Sequence, residues 1–370
     1  VRVGVPKEVK DNEYRVAITP AGVRELVSSG HDVIIESQAG RGSSIGDDEF
    51  ERAGATIFPD ADTVWGESDM VLKVKEPIES EFGRLRPNLI MFTYLHLAAS
   101  ESVTKALIEA GTTAVAYETV ELADGSLPLL APMSEVAGRM APQVGASFLE
   151  RERGGRGVLM GGVSGVAPAR VVIIGAGMAG MNAAWIAQGM EAEVVILDKN
   201  INRLREVDRI HKGRILTLAS TRLSVEQSVV EADLVIGAVL VPGALAPRIV
   251  NEATVKEMKP GSVIVDISID QGGCFETSKM TTHSVPTYVV SDVVHYCVGN
   301  MPGAVPHTST YALTNATLPY VVSLADRGLE DAARDDGALG KGINLYRGTL
   351  VSTPVAEAHG LPATSLDDIL

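Results

Sequence analysis

The chain has 370 residues, 45% of them hydrophobic and only 4% aromatic, with a formal net charge of -15. That length exceeds what a single core usually serves, so two domains are expected, and the acidic balance argues against nucleic acid or an anionic membrane as partner. Two cysteines, Cys274 and Cys297, without a C-x-x-C spacing, suggest neither a disulfide framework nor a thiolate site, and no metal is expected.

The N-terminus, VRVGVPKEV, enters a strand directly and lacks the charged-then-apolar pattern of a secretory signal, so the expected setting is the cytoplasm. Strand-like and helix-like segments then alternate: RVGVP, a helix from Pro20 capped by Thr19, DVIIES, a helix from Asp47 to Ala53, ATIF, DMVLKVK and LIMFTYL. A helix from about Ala99 to Ala110 and the strand TAVAYETV complete a βα-alternating domain with no G-x-G-x-x-G. The turn ADGSLPLL leads to a helix from about Ser134 to Arg151, with Ser134 as its cap, and a glycine-rich stretch delivers the chain to Val171.

Residues 171 to 198, VVIIGAGMAGMNAAWIAQGMEAEVVILD, read as strand, glycine turn, helix, strand and one carboxylate. Gly175 permits the tight turn, Gly177 lets the backbone approach a pyrophosphate, and Gly180 lets helix and strand pack closely. The helix N-terminus offers its free N–H groups to the anion. Asp198, at the end of the second strand, would accept hydrogen bonds from ribose hydroxyls and repel a 2′-phosphate, which favours NAD over NADP. Arg203 weakens that preference, because a guanidinium can pair with such a phosphate. The uncharged run 171 to 190 is long enough for a membrane span, but its glycines, Asn182, Gln188 and the close flanking charges fit strand-turn-helix better.

Four more strands follow, in RILTLAS, ADLVIGAV, GSVIVDIS and HYCV, making six. After Pro302 and Pro306, PHTSTYALTNATLPYVVSLADRG reads as a long Thr-capped helix that returns the chain to the first domain. The expected fold is therefore α/β, with two Rossmann-like, doubly wound parallel sheets and the nucleotide domain (131–305) inserted into a discontinuous substrate domain (1–130 and 306–370). Beyond about residue 330 the pattern is polar and less readable.

In open α/β sheets ligands gather beyond the carboxyl ends of strands, and four polar residues stand there: Arg15, Lys75, His96 and Asp270. Arg15 suits bidentate capture of a carboxylate, Lys75 a compact charge near a carbonyl oxygen, His96 proton exchange near neutrality, and Asp270 orientation of a water or support of a transient cation. A cleft between the domains would hold a small anionic substrate. Each residue also has a plainer reading. Arg15 could be a solvated loop charge, Lys75 could share a wet edge with Lys73, His96 could satisfy a strand-end carbonyl, and Asp270 could open the DQGG turn.

GVPKEVKDNEYRVAITPAGV, MVLKVKEP, FTYLHLAA, APMSEVAGR, VIIGAGMAG, IGAVLVPG, DISIDQGG and NMPGAVPHTSTYALTNAT together, in this order, resemble the blocks of the alanine dehydrogenase family from residue 1 to about 330. The resemblance implies NAD-dependent, reversible oxidative deamination of L-alanine to pyruvate and ammonia, in a homo-oligomer, a hexamer. It implies that Arg15 and Lys75 hold the substrate and that His96 and Asp270 are catalytic, moving protons. It also implies cofactor contacts at Ser134, Gly175, Gly177, Met178, Ala179, Gly180, Asp198, Arg203, Ser220, Val239, Leu240, Ile267, Asp270, Val298, Asn300 and Met301. Gly299 stands where that family commonly shows alanine. Two other readings are open: an NAD-binding transhydrogenase-like subunit, disfavoured by the LHLAA histidine and the SIDQGG aspartate, and a non-catalytic NAD-responsive regulatory protein.

Overall fold

The computed structural model describes residues 1–240 and 245–370, so the last residues of the IGAVLVPG block lie outside the described residues. The chain divides into two compact units, Val1–Met133 with Val305–Leu370, and Ser134–Ala304. Each is built on its own sheet of mostly parallel strands flanked by helices, an α/β fold.

In the first unit β1 (Arg2–Val5), β2 (Asp32–Glu36), β3 (Thr56–Phe58), β4 (Met70–Leu72), β5 (Ile90–Thr93) and β6 (Thr113–Ala116) are all parallel. The second unit holds β7 (Arg170–Ile174), β8 (Glu193–Asp198), β9 (Leu216–Ala219), β10 (Leu234–Gly237), β11 (Val263–Asp266), β12 (Thr287–Val290) and β13 (Val293–Tyr296). The chain then adds β14 (Ile343–Tyr346) and β15 (Thr349–Leu350) to the first sheet. The orders are β15-β14-β6-β5-β4-β1-β2-β3 and β12-β13-β11-β10-β7-β8-β9. In each, the chain winds outward from a central strand in one direction and then crosses back to wind in the other. The crossings put topological switch points between β1 and β4 and between β7 and β10, where loops diverge and leave room for a ligand. Strands such as β7, β10 and β11 are almost wholly Val, Ile and Leu because both of their faces are covered.

Local signals explain several boundaries. Thr19 caps the helix Pro20–Ser28 through its hydroxyl, and Pro20 fills the first position, where its missing N–H costs nothing. The helix Asp47–Ala53 carries three acids in its first turn and ends at Gly54, whose φ of 110° stops it.

Three expectations are corrected. The helix expected from Ser134 runs Ala131–Phe148, and Ser134 lies inside it rather than capping it. Ala131 N–H already donates to the Leu127 carbonyl at 3.0 Å, and Pro132 is tolerated in a first turn, so the helix starts earlier. The long helix Pro306–Arg327 has no threonine cap: Val305 precedes it without a side-chain cap bond, and Pro306 removes one of the donors that would need one. Among the described residues the second sheet has seven strands, not six, because TYVV (β12) adds antiparallel to β13. The tail that composition left unread adds β14 and β15 to the first sheet as an antiparallel edge.

Lys73, expected at a wet edge, is 1% exposed. Its Nζ lies 3.0 Å from a carboxylate oxygen of Glu8 and 3.0 Å from one of Glu81, both buried. The second Glu8 oxygen accepts the Val74 N–H at 2.6 Å and that of Lys75 at 3.5 Å, and the second Glu81 oxygen accepts the Ile78 N–H at 3.0 Å. Burial pushes the Glu8 carboxyl up against the pull of Lys73. The cluster joins the loops after β1 and β4 at the switch point. Removing the cation alone leaves two buried carboxyls without it, so Lys73→Met should lower unfolding free energy by about 3–5 kcal/mol in urea titrations at neutral pH. The deficit should narrow in acid, where the Glu8 carboxyl takes up a proton, and an unchanged midpoint would show the cluster to be idle.

Candidate functional site

The parallel register of β1, β4, β5 and β6 brings the loops that follow them to one edge of the first sheet. Arg15 lies in the loop after β1 and is 2% exposed, so it is no solvated loop charge. Glu13 holds its guanidinium from one side, with Nε to Oε1 at 2.7 Å and Nη2 to Oε2 at 2.6 Å. Nη1 faces the thioether of Met133 at 2.9 Å, a weak acceptor that a carboxylate would displace. Burial opposes ionisation of Glu13, but the Arg15 hydrogen bonds and charge, joined by the charge of Lys75, hold its carboxyl down at about 2. Glu13 thus links the two cations expected to hold a substrate. Lys75, half-buried, lies three residues beyond β4 on the strand of chain pinned by Glu8.

His96 is exposed, three residues beyond β5, in the left-handed region at φ 49° and ψ 38°. Its neighbours Leu95 and Leu97 are buried. Tyr94 stacks beside the imidazole with ring centroids 5.9 Å apart and planes at 10°, and the Tyr94 hydroxyl donates to the Leu129 carbonyl. Glu118, from the turn after β6, accepts the backbone N–H groups of Leu95 and His96. From the C-terminal tail, His359 Nε2 donates to the Leu97 carbonyl at 2.7 Å. Glu8, Glu13, Glu118 and His359 were not anticipated. Their sequence signal is faint, because a carboxylate serving a backbone N–H or a buried cation looks like any surface acid until its partner is placed.

In the second unit the glycine turn closes against the chain after β10. A Cβ on Gly175 (φ 105°) would lie 2.5 Å from the Ala238 carbonyl oxygen, and one on Gly180 would lie 1.7 Å from the Gly175 oxygen, so neither place admits a side chain. Gly177 differs: its φ is ordinary, and a Cβ there would meet only Arg203 Nη1, at 3.8 Å. Nothing in the protein requires a glycine at 177, whereas a closely approaching ligand would. Gly177 also begins the helix Met178–Gly189 with no side-chain cap, leaving first-turn N–H groups to serve an anion. A dinucleotide pyrophosphate fits this cradle.

Asp198 ends β8 with its carboxylate turned back to the turn, accepting Ala176 N–H at 2.6 Å and Asn200 N–H at 2.7 Å. Arg203 Nη1 lies 3.8 Å from the same carboxylate. Arg203 therefore faces Asp198 as well as the open side of the turn. Ser220 N–H donates to the Asp198 carbonyl at 3.0 Å, which places it beside the same strand end. Gly138 of the helix Ala131–Phe148 packs on Ala179, where a Cβ would come within 2.3 Å of the Ala179 oxygen. Ser134 lies one turn earlier on the same face of that helix.

Val239 and exposed Leu240 follow β10, with Val239 N–H donating to the Ser268 hydroxyl at 2.9 Å. Ile267 and Asp270 lie in the short turn after β11. Exposed Asp270 accepts the Asn300 N–H at 3.2 Å, so it reaches across the sheet end instead of merely opening its own turn. Val298 and Met301 are buried in the core cluster beneath β7, β8 and β11, so any ligand contact from them is through backbone. A Cβ on Gly299 would lie 3.2 Å from Asp270 Oδ1 and 3.2 Å from Met280 Sδ. Cys274 and Cys297 are buried, and burial raises both thiols, Cys297 to about 11, which leaves them inert at neutral pH. Among the described residues no group of three or more His, Cys, Asp or Glu is arranged to hold a metal, and no helix is long and apolar enough to cross a membrane.

Two family models together match most of the chain. The family model described as alanine dehydrogenase/PNT, N-terminal domain, matches residues 4–137, and that of the C-terminal domain matches residues 141–353. The chain is 60% identical over 368 residues to an alanine dehydrogenase of Mycolicibacterium smegmatis, covering 100% of this chain and 99% of that protein. It is 54% identical over 374 residues to one of Geobacillus stearothermophilus, covering 100% of each. Among solved structures it is similar to an L-alanine dehydrogenase, with a TM-score of 0.94, 51% identity and coverage of 97% of this chain and 99% of that one. It is also similar to a transhydrogenase from Sinorhizobium meliloti, with a TM-score of 0.80, 25% identity and coverage of 95% and 99%.

The Glu13–Arg15 pair generates a pH prediction. Glu13 is held at about 2 in the folded chain, below its ordinary 4.5, so its contribution to stability is present above 4.5 and is lost as pH falls from there through 2. Glu13→Gln should flatten the stability profile across that window, remove on the order of 3 kcal/mol at neutral pH and change little near pH 2. Unfolding titrations of both proteins between pH 2 and 7 check this.

Proposed function

Since the chain belongs to the alanine dehydrogenase/PNT family, we propose how its own residues carry out the family's amino-acid chemistry. The protein is an oxidoreductase acting on L-alanine, which it interconverts with pyruvate and ammonia. Its cofactor is a dinucleotide held at the glycine turn, and we take it to be NAD because Asp198 stands at the ribose end of that turn. Bound there, the nicotinamide would accept the hydride that leaves Cα.

The observation that carries the residue assignments is the gathering of Arg15, Lys75 and His96 at the carboxyl ends of β1, β4 and β5, each held by a buried or half-buried carboxylate. Arg15 binds the substrate carboxylate through Nη1, while Glu13 keeps the other edge of the guanidinium from turning. Fixing the carboxylate fixes Cα–H, and that kind of positioning can remove several kcal/mol from a barrier. Lys75 stabilises negative charge on the carbonyl oxygen as the imine is hydrated and ammonia leaves. His96 takes a proton from the attacking water and returns one to the departing nitrogen. Asp270 is assigned support of the transient positive charge of the iminium and orientation of the water. Ser134, Met178, Ala179, Ser220, Val239, Leu240, Ile267 and the 298–301 segment line the nucleotide.

The reading extends to a cytoplasmic homohexamer. Leu159, Val163 and Val166, 65%, 60% and 63% exposed in one loop, offer apolar surface that self-association would cover. Sedimentation gives the mass directly.

With L-alanine the protein should reduce NAD, and with pyruvate and ammonium it should oxidise NADH; absence of turnover in both directions would sink the enzyme reading. His96→Ala should still bind NADH but lose roughly 10²–10⁴-fold in kcat, and full activity would remove His96 from proton transfer. Asp198→Gly should weaken binding of both nucleotides, because the glycine turn loses its strut, and should narrow the NAD over NADP ratio by roughly tenfold, about 1.4 kcal/mol. An unchanged ratio would deny Asp198 its ribose role.

A further inference from the structure

His96 sits in a left-handed backbone conformation that a residue with a Cβ adopts only at a cost, and such a conformation persists only where its surroundings enforce it. The enforcement is visible. Leu95 and Leu97 are both buried in the first unit's core, so the chain must turn between them, and His96 is left outside at the tip of that turn. The Ala99 N–H closes the turn onto the His96 carbonyl at 2.9 Å. On the other side, two successive N–H groups, those of Leu95 and His96, point the same way and need an acceptor.

Glu118 is that acceptor. Its Oε1 takes the His96 N–H at 2.6 Å and the Leu95 N–H at 3.2 Å, and its Oε2 takes the Leu95 N–H at 3.2 Å. The register explains the meeting: Thr93 at the end of β5 pairs with Ala116 at the end of β6, so the two chains leave the sheet side by side and residue 118 arrives opposite residues 95 and 96. A carboxylate accepting from consecutive backbone N–H groups makes stronger bonds than a neutral acceptor, and this one comes from a different strand, so it holds the turn from outside. The bonds go to the backbone of the residue whose ring must meet the substrate.

We propose that Glu118 is a positioning residue of the dehydrogenase reaction: its carboxylate clamps the left-handed turn at His96 and thereby sets where the imidazole stands. Tyr94 and His359 limit the same turn from the ring side and from the Leu97 carbonyl, while among the described residues Glu118 alone holds the His96 N–H itself. The inference rests on the reading of His96 as the proton-transfer group.

Two conservative variants separate reach from charge. In Glu118→Gln the side-chain carbonyl can still accept from both N–H groups, whereas in Glu118→Asp the charge stays but the oxygens withdraw by one methylene. The Asp variant should lose on the order of a hundredfold in kcat per NADH site, the penalty expected of a misplaced catalytic group, and the Gln variant should recover most of that loss. In the Asp variant NADH affinity and the KM for L-alanine should stay within about threefold, because only a transition-state interaction has been disturbed. Its solvent deuterium isotope effect on kcat should rise, since proton transfer becomes the slow step. Counting sites by NADH titration removes any contribution from misfolded protein. Wild-type kcat in the Asp variant, or equal damage in the Gln variant, would overturn the clamp. His96→Ala serves as the control. If it is inactive while Glu118→Asp is not, the clamp alone falls, and if it is fully active, the role of His96 and the clamp fall together.

Discussion

The buried ammonium of Lys73 is the constraint on which the first unit's site depends. A charge taken out of water must be met by opposite charge and filled hydrogen bonds, and here two carboxylates from separate loops meet it. Because Glu8 also accepts the Val74 N–H, satisfying the cation fixes the backbone that carries Lys75. The same economy recurs one loop away, where Glu13 neutralises Arg15, and two strands away, where Glu118 receives the N–H of His96. Each residue assigned to the substrate is thus held by a carboxylate that does not itself react. Unlike a flexible surface pair, such an arrangement loses little freedom when a ligand arrives.

The second unit uses backbone where the first uses charge. At the switch point between β7 and β10 the glycine turn packs so tightly that Gly175 and Gly180 have no room for a Cβ, while Gly177 is open toward the space a pyrophosphate would take. Asp198 contributes twice. Its carboxylate braces the turn through the Ala176 N–H and holds the chain beyond β8 through the Asn200 N–H. A substitution there therefore removes support from the glycine turn and from the chain that leaves β8 at once.

Much of this was legible before any coordinates. Runs of Val and Ile announced the central strands, Thr19 and Pro20 announced a helix start to the residue, and the glycine spacing announced the nucleotide turn. These are local signals, decided by propensity, capping and conformational freedom within a few residues. The misreadings were of another kind. Ser134 looked like a cap because its own sequence is cap-like, but a bond from Ala131 to Leu127 had already started the helix. TYVV and the strands of the tail were passed over because an edge strand is short and carries no strong apolar pattern of its own.

By itself, the sequence determined the α/β class, the glycine turn and the four polar residues beyond strand ends, because strand composition, glycine geometry and chain order are properties of neighbours along the chain. It also carried enough family-specific blocks to indicate the chemistry. Only the tertiary structure decided that Lys73 is buried while His96 is exposed, and that Glu8, Glu13 and Glu118 are the groups that hold the site. Those partners are separated by 65 residues in one case and 22 in another. A carboxylate's role depends on which cation or N–H it meets, and the parallel register of β1, β4, β5 and β6 is what makes them meet.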